Sequence, residues 1–514
     1  MSSLFLKNAN VIDVSKGNTS LQNILIENGI IQEIGKNVIK NNSAESIDLK
    51  GDFVMPGLCD AHVHVTAFTA DFARLKNTSP FYVGIKALEI LRGMLSRGFT
   101  TVRDAGGADW GLAKHISENP TSGPRLLFCG HALSQTGGHG DMRGLGENSL
   151  HQCFCCAGLG HICDGLPEVL RASREEIRRG ATHIKIMASG GVSSPTDRIT
   201  STQFSEEEIK AIVNEANAAN IPVMAHAYTA RAINRAIKCG VKSIEHGNLL
   251  NTESVDLLIK YDAYLVPTLI IYKALIEQGV EAGLTQDLVN KTYEVLDAGI
   301  DALELAYKNK VQIVYGTDLL GIMHPHQLEE FTLRSKVIPS LQLIQQATIN
   351  AAKLFNMEKE IGQVNEGFFA DLIIFNKNPV EETWIKKWYE EFPQTQDKII
   401  LTMPTRISKW KGVVSFIDLV NLVDDENYHA LIVGPTAKSK KSYLKHRTKT
   451  TYDYNFFTEE VFSKGNIYGF DFSNQRVFFG KELKIPRVKF KPGYQRLWRN
   501  FRLAFSESVN FRYT

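Results

Sequence analysis

The chain has 514 residues, 43% apolar and 22% charged, which is ordinary for a globular protein and enough for two or three domains with a large core. Its formal net charge of +2 hides an asymmetry: Leu431 to Thr514 holds 17 Lys and Arg against 6 Asp and Glu, leaving 41 against 50 before it. An acidic body thus carries a basic tail, and no stretch approaches the ~18 uninterrupted apolar residues of a membrane helix, so no membrane association is expected.

The first residues, MSSLFLKNANVIDVSKGN, show no charged leader followed by a long apolar run, so a cytoplasmic location is expected. Seven cysteines, an odd number, fit that reading better than a disulfide framework. Residues 4–54 read as short alternating strands punctuated by Asn and Gly, a small β unit with too little area to stand alone.

From Val54 the pattern becomes apolar strand, loop and helix, repeated. Eight strand candidates follow in order: VMPGLCDAHV, FTTVRD, RLLFCG, HIKIMA, IPVMAH, KSIEHG, AYLVPT and QIVYGTD. Helical stretches such as SEEEIKAIVNEANAAN lie between them, several ending at Gly or Asn. Eight buried strands alternating with helices predict an α/β fold, a (β/α)8 TIM barrel, with an open doubly wound sheet as the alternative. The cluster HQCFCCAGLGHICDG (Cys153, Cys155, Cys156, Cys163, His151, His161) is spaced poorly for a zinc knuckle and reads as a loop of reduced thiols. After LQLIQQATINAAKLFNM, the piece GQVNEGFFADLIIFNKNP is expected to return to the N-terminal β unit. The expected domains are therefore 1–55 and 360–425 as two parts of a β-sandwich, 56–359 as the barrel, and 426–514 as a basic aromatic extension.

Polar residues that strand burial does not explain sit at strand C-terminal ends. His62 and His64 share one face at the end of the first strand, and Lys185 is a charge inside an apolar strand. His226, His246 and Asp318 end three later strands. In a barrel these ends meet on one rim, where four imidazoles and a carboxylate make a transition-metal site, with Zn2+ the first expectation.

These residues and their order resemble the amidohydrolase superfamily, over Met1 to about Pro379. MPGLCDAHVHV resembles its first metal motif and EGFFADLIIF its closing β segment. SQTGGHGD, IKIMASGGVSSPTD, MAHAYT and SIEHG are similar to the Xaa-Pro dipeptidase and imidazolonepropionase-like group, which includes ochratoxin-type amidases. The resemblance implies two divalent metals. His62, His64 and Asp318 would hold one and His226 and His246 the other, bridged by a CO2-derived carbamate on Lys185. An unmodified ammonium beside two cations is electrostatically untenable, and the carbamate removes that conflict. Two cations would make hydroxide available near neutral pH, with Asp318 moving its proton.

Tyr228, two residues after His226, is placed to polarise the scissile carbonyl. His139 in TGGHGD is read as a substrate contact, against the competing reading of a solvated loop histidine. Arg198 is a candidate clamp for a substrate carboxylate, or equally a surface residue. The expected reaction is hydrolysis of a C–N bond in a small-molecule dipeptide such as Xaa-Pro or an N-acyl amino acid, by a homo-oligomer. The alternatives are cyclic-amide hydrolysis or deamination on the same barrel, and a non-catalytic protein that meets nucleic acid through its tail. The tail segment PGYQRLWRNFRLAFSESVNFRY interleaves cations with aromatics as phosphate and base contacts require, yet a poorly ordered appendage remains the favoured reading.

Overall fold

A computed structural model of the chain describes residues 3–150, 158–376 and 378–380, with five further strands beyond them, and divides into two compact units, Met1–Glu381 and Glu382–Thr514. The first unit opens with β1 (Ser3–Ile12), β2 (Thr19–Glu27), β3 (Ile30–Gly35), β4 (Glu45–Asp48) and β5 (Phe53–Pro56). Asn28 and Gly29 both take positive φ, 52° and 78°, the turn that a tight β2–β3 hairpin requires. The run AESIDLKGDFVMPG holds two strands, β4 and β5. Lys50 and Gly51 turn left-handed there, at φ 51° and 93°, and both strands then pair in parallel with β1.

The repeating region supplies β6 (Leu58–Val63), β7 (Phe99–Asp104) and β8 (Arg125–Leu127), then β9 (Ala132–Ser134), β10 (Gly160–Ile162) and β11 (Ile184–Met187). It continues with β12 (Val223–Thr229), β13 (Ser243–Leu249), β14 (Tyr264–Val266) and β15 (Gln312–Ile313). All pair in parallel, in the orders β6-β7-β8 and β10-β9-β11-β12-β13-β14-β15. The chain after β15 also bonds to β6: Ala61 N–H donates to the Tyr315 carbonyl and Asp318 N–H to that of His62, each at 2.8 Å. Every residue of β6, β11 and β14 is buried, which explains why these strands read as continuous apolar runs.

Helices join the strands and bury one face each. The helix Glu206–Ala218 begins with a capping box between Ser205 and Glu208 and buries Ile209, Ile212, Val213 and Ala216, a spacing of three and four. That face packs with Ile186, Val223, Ala225 and Ile244 in the largest apolar cluster. Finally β16 (Leu372–Phe375) returns antiparallel to β5, with Ile374 opposite Val54, so both ends of the unit share one sheet.

In the second unit Ile399–Pro404, Tyr428–Val433 and Asn455–Phe457 form a parallel sheet, and Phe470–Asp471 pairs antiparallel with Arg476–Val477. The expected second part of the β-sandwich, 360–425, straddles the division between the units. The thiols of Cys153, Cys155 and Cys156, with His151, lie outside the described residues, as does most of the basic tail. Among the described residues no helix is long and apolar enough to cross a membrane.

Candidate metal centre

The C-terminal end of β6 carries His62 and, just beyond it, His64. Asp318 follows β15, and its backbone bond to His62 brings its carboxylate between them: Oδ1 lies 3.3 Å from His62 Nε2 and 3.2 Å from His64 Nε2. His246 on β13 joins this group, its ring 5.0 Å from that of His62. One ligand atom from each of His62, His246 and Asp318 falls within 4.8 Å of the others, close enough for a single ion. His246 and Asp318 hold left-handed backbones, φ 73° and 57°, in a region that residues other than glycine seldom adopt.

The far nitrogen of each imidazole is tied. His62 Nδ1–H donates to Glu245 Oε2 at 2.7 Å and His64 Nδ1–H to the Gly106 carbonyl at 3.0 Å, while His246 Nδ1 bonds the Thr268 hydroxyl at 2.7 Å. These anchors hold Nδ1 of His62 and His64 and turn each Nε2 to the same space beside Asp318 Oδ1, where a cation could take both nitrogens and the carboxylate, the arrangement typical of ligating histidines.

The anchors are themselves held. Glu245 Oε1 accepts from Arg103 Nη2 at 3.0 Å and from Ser243 Oγ at 2.7 Å. Burial would raise the Glu245 carboxyl, but the Arg103 guanidinium and His62 outweigh it and bring it down to about 2. Asp104 accepts from the backbone N–H groups of Val65, Gly106 and Ala108 at 2.8–3.0 Å, fixing the loop that presents the Gly106 carbonyl. Asp60 accepts from Thr317 at 2.6 Å and Gln327 at 2.9 Å, securing the segment before Asp318. Sequence reasoning passed over Asp60, Arg103 and Glu245. Their signal was the same as that of Lys185, a charge inside an apolar strand.

Lys185, on β11, is 1% exposed and lines the same cavity. Burial lowers its pKa against the pull of Glu245 and Asp318, and its ammonium has no hydrogen bond or ion pair among the described residues. His226, on β12, donates from Nε2 to the Gly190 carbonyl at 3.1 Å, which leaves Nδ1 as its available lone pair. Its ring stacks on His139 at 4.3 Å and 19°, and lies 4.6 Å from His246. The cavity, about 260 Å3, is thus lined by all six expected ligands. Lys185, His64 and His226 stand outside the tight trio of His62, His246 and Asp318.

Tyr228 is 2% exposed, its hydroxyl 3.3 Å from that of Tyr272, which donates to Asn248 at 3.0 Å. Burial raises the Tyr228 phenol far above its ordinary range, so it is a neutral donor. His139 also lines the cavity and is no solvated loop residue. Its N–H donates to Gln203 at 2.9 Å, and its Nδ1 lies 3.0 Å from Ser194 Oγ, which bonds Asp197. Arg198 is exposed and is not among the residues that line the cavity, while Asp197 before it accepts from Gln203 and from the Gly191 N–H. A different arginine, Arg143, lines it instead.

The family model described as "Amidohydrolase family" matches residues 53–408. Ochratoxinase of Aspergillus niger is 34% identical over 343 residues, 64% of this chain and 71% of that enzyme. The crystal structure of a prolidase complexed with N-methylphosphonate-L-proline is 44% identical, covering 74% of this chain and 94% of the prolidase, with a TM-score of 0.72. A Xaa-Pro dipeptidase with methionine bound in its active site is 31% identical over 74% of this chain and 95% of that one, with a TM-score of 0.67.

Proposed function

We propose, for a chain that belongs to the amidohydrolase family, that it hydrolyses the amide bond of a dipeptide such as Xaa-Pro or of an N-acyl amino acid. The observation that carries this reading is the trio His62, His246 and Asp318, whose imidazoles are tied at Nδ1 and open at Nε2, facing a cavity that also holds His139 and Tyr228. The parallel strands β6 to β15 are proposed to close into a (β/α)8 barrel. The bonds from Ala61 to Tyr315 and from Asp318 to His62 support that closure, because they join its last strand to its first.

The donor set suits zinc: imidazoles fixed at their far nitrogens by second partners, and an Asp318 carboxyl that the surrounding histidines pull well below its ordinary range despite burial. His62, His64 and Asp318 would hold one cation, and His226 Nδ1 and His246 a second. Lys185 would join them as a carbamate, a reading supported by its burial with no ion pair among the described residues. When bound, the cations would acidify the attacking water and polarise the carbonyl.

The chain's own groups supply the rest. Asp318, at the centre of the histidines, takes the proton from the attacking water and returns it to the leaving nitrogen. Tyr228, neutral and buried, donates to the carbonyl oxygen as negative charge develops there. His139, oriented by Ser194, is the second donor beside the substrate. The apolar residues Phe72, Ile271, Leu275 and Leu320 exclude water from the cavity.

The test is a screen of the zinc-replete protein against dipeptides and N-acyl amino acids, before and after chelation. Turnover that chelation abolishes and zinc restores is expected. Turnover that survives complete metal removal would overturn the reading.

A further inference from the structure

Tyr228 enters the cavity from β12 with its ring 4.8 Å from that of His226 and 5.3 Å from that of His246. Its hydroxyl lies 3.3 Å from that of Tyr272, on the helix Leu269–Gln278. Tyr272 is fully buried and has a single O–H to give. Two acceptors stand within its reach, Asn248 Oδ1 at 3.0 Å and the Tyr228 oxygen at 3.3 Å.

Asn248, on β13, decides between them. Its Nδ2 donates to the Val295 carbonyl at 2.9 Å, and a carbonyl only accepts, so the amide oxygen is the end left facing Tyr272. Tyr272 therefore gives its O–H to Asn248 and turns a lone pair to Tyr228, whose own O–H donates to it. Val295 belongs to the helix Gln286–Lys308, which carries Gly299 in its interior, where glycine is a weaker helix former than alanine. The amide explains that glycine: a Cβ at Gly299 would lie 2.8 Å from Asn248 Nδ2. The line from Val295 through Asn248 and Tyr272 to Tyr228 is buried along its whole length.

We propose that Tyr272 is a positioning residue that acts through Tyr228. Before substrate binds, it accepts the Tyr228 O–H and holds that hydroxyl beside the histidines. When the Tyr228 O–H turns to the carbonyl oxygen of the scissile amide, Tyr272 turns its own O–H from Asn248 to the Tyr228 oxygen. A hydroxyl that receives a hydrogen bond donates a stronger one, so the pair meets developing negative charge better than Tyr228 alone. No proton is transferred, and both phenols stay neutral. This rests on the hydrolase reading above, with Tyr228 as the donor to the carbonyl.

The experiment measures hydrolysis of N-acetyl-L-leucine by the full-length zinc-replete protein and by Tyr272→Phe, Tyr228→Phe and the double variant. Tyr272→Phe should lower kcat about 10-fold, the size of one hydrogen bond, with KM little changed. The double variant should be no slower than Tyr228→Phe, because the contribution of Tyr272 passes through the Tyr228 hydroxyl. Gly299→Ala crowds Asn248 from the helix side and should lower kcat in the same way, which keeps the test should Tyr272→Phe fail to fold. Calorimetric binding of N-(methylphosphonyl)-L-leucine, a tetrahedral counterpart of the substrate with its charged oxygens where the oxyanion would form, reads the pair without turnover. Each single variant should weaken that binding, and the double variant no further than Tyr228→Phe. This pattern, with N-acetyl-L-leucine left intact by wild type, would sink the hydrolase reading for that substrate and uphold the role of Tyr272. Hydrolysis with kcat unchanged in Tyr272→Phe (or in Gly299→Ala, where the former does not fold), or losses that add in the double variant, would overturn that role and leave the hydrolase reading standing.

Discussion

Replacing Glu245 by Gln keeps the shape of the side chain and removes its charge, which isolates what that charge does. In the native protein Glu245 lies between the buried Arg103 guanidinium at 3.0 Å and His62 Nδ1 at 2.7 Å, and it is fully buried. Removing one partner of such a buried pair leaves the other uncompensated and typically costs ~3–5 kcal/mol. The titration of Glu245 gives a separate figure. Its carboxyl falls from an ordinary 4.5 to about 2 on folding, equivalent to ~3 kcal/mol. Because the folded value is depressed, this stabilisation is full above pH ~4.5 and is lost as pH falls towards ~2. In urea denaturation of the metal-free protein at pH 7, Glu245→Gln should therefore lose ~3 kcal/mol. The difference between variant and wild type should shrink as pH falls through that window. Zinc affinity should also drop by about 10–100-fold, since the amide keeps one acceptor oxygen for two sets of donors, Arg103 with Ser243 and His62, and no longer offers His62 a charged partner. Equal stability at pH 7 would refute the claim that Arg103, Glu245 and His62 act as one unit.

Lys185→Ala should lose metal and activity together, with short-chain acids and bicarbonate partly restoring both; a fully active one-metal variant would sink the bridging role. Asp318→Asn should keep at least one metal by elemental analysis yet lose kcat by about 10²–10⁴-fold, as loss of a general acid–base group does. Tyr228→Phe should lower kcat about 10²–10³-fold at unchanged metal content, and a rise in KM alone would reassign Tyr228 to substrate binding. A chain ending at Glu381 should keep zinc content and a cooperative melting transition, because every proposed ligand and the major apolar clusters lie before that point. Failure to fold would show that later residues complete the first unit.

Much of this was legible because burial on both faces leaves a simple mark. Seven of the eight expected runs of the repeating region hold one strand each, the first, VMPGLCDAHV, is divided between β5 and β6, and the expected ligands at the strand ends face one cavity. β9 and β10 were not foreseen. The break between β4 and β5 depends on two left-handed residues, only one of them a glycine. Arg103 and Glu245 were missed because their pairing spans 142 positions and exists only once β7 and β13 are brought together. The sequence reading singled out Arg198, next to Asp197, and not Arg143, two residues after Asp141. Asp197 accepts from Gln203 while Arg198 beside it is exposed, whereas Asp141 pairs with Arg143, which lines the cavity.

The central claim is that the strand ends hold catalytic metal, and anomalous scattering from crystals of the zinc-replete protein tests it most directly. The account predicts two peaks inside the cavity. One should lie about 2.0–2.2 Å from His62 Nε2, His64 Nε2 and Asp318, and the other at that distance from His226 Nδ1 and His246 Nε2. An intact fold with no zinc at these side chains, or with zinc bound elsewhere, would contradict it.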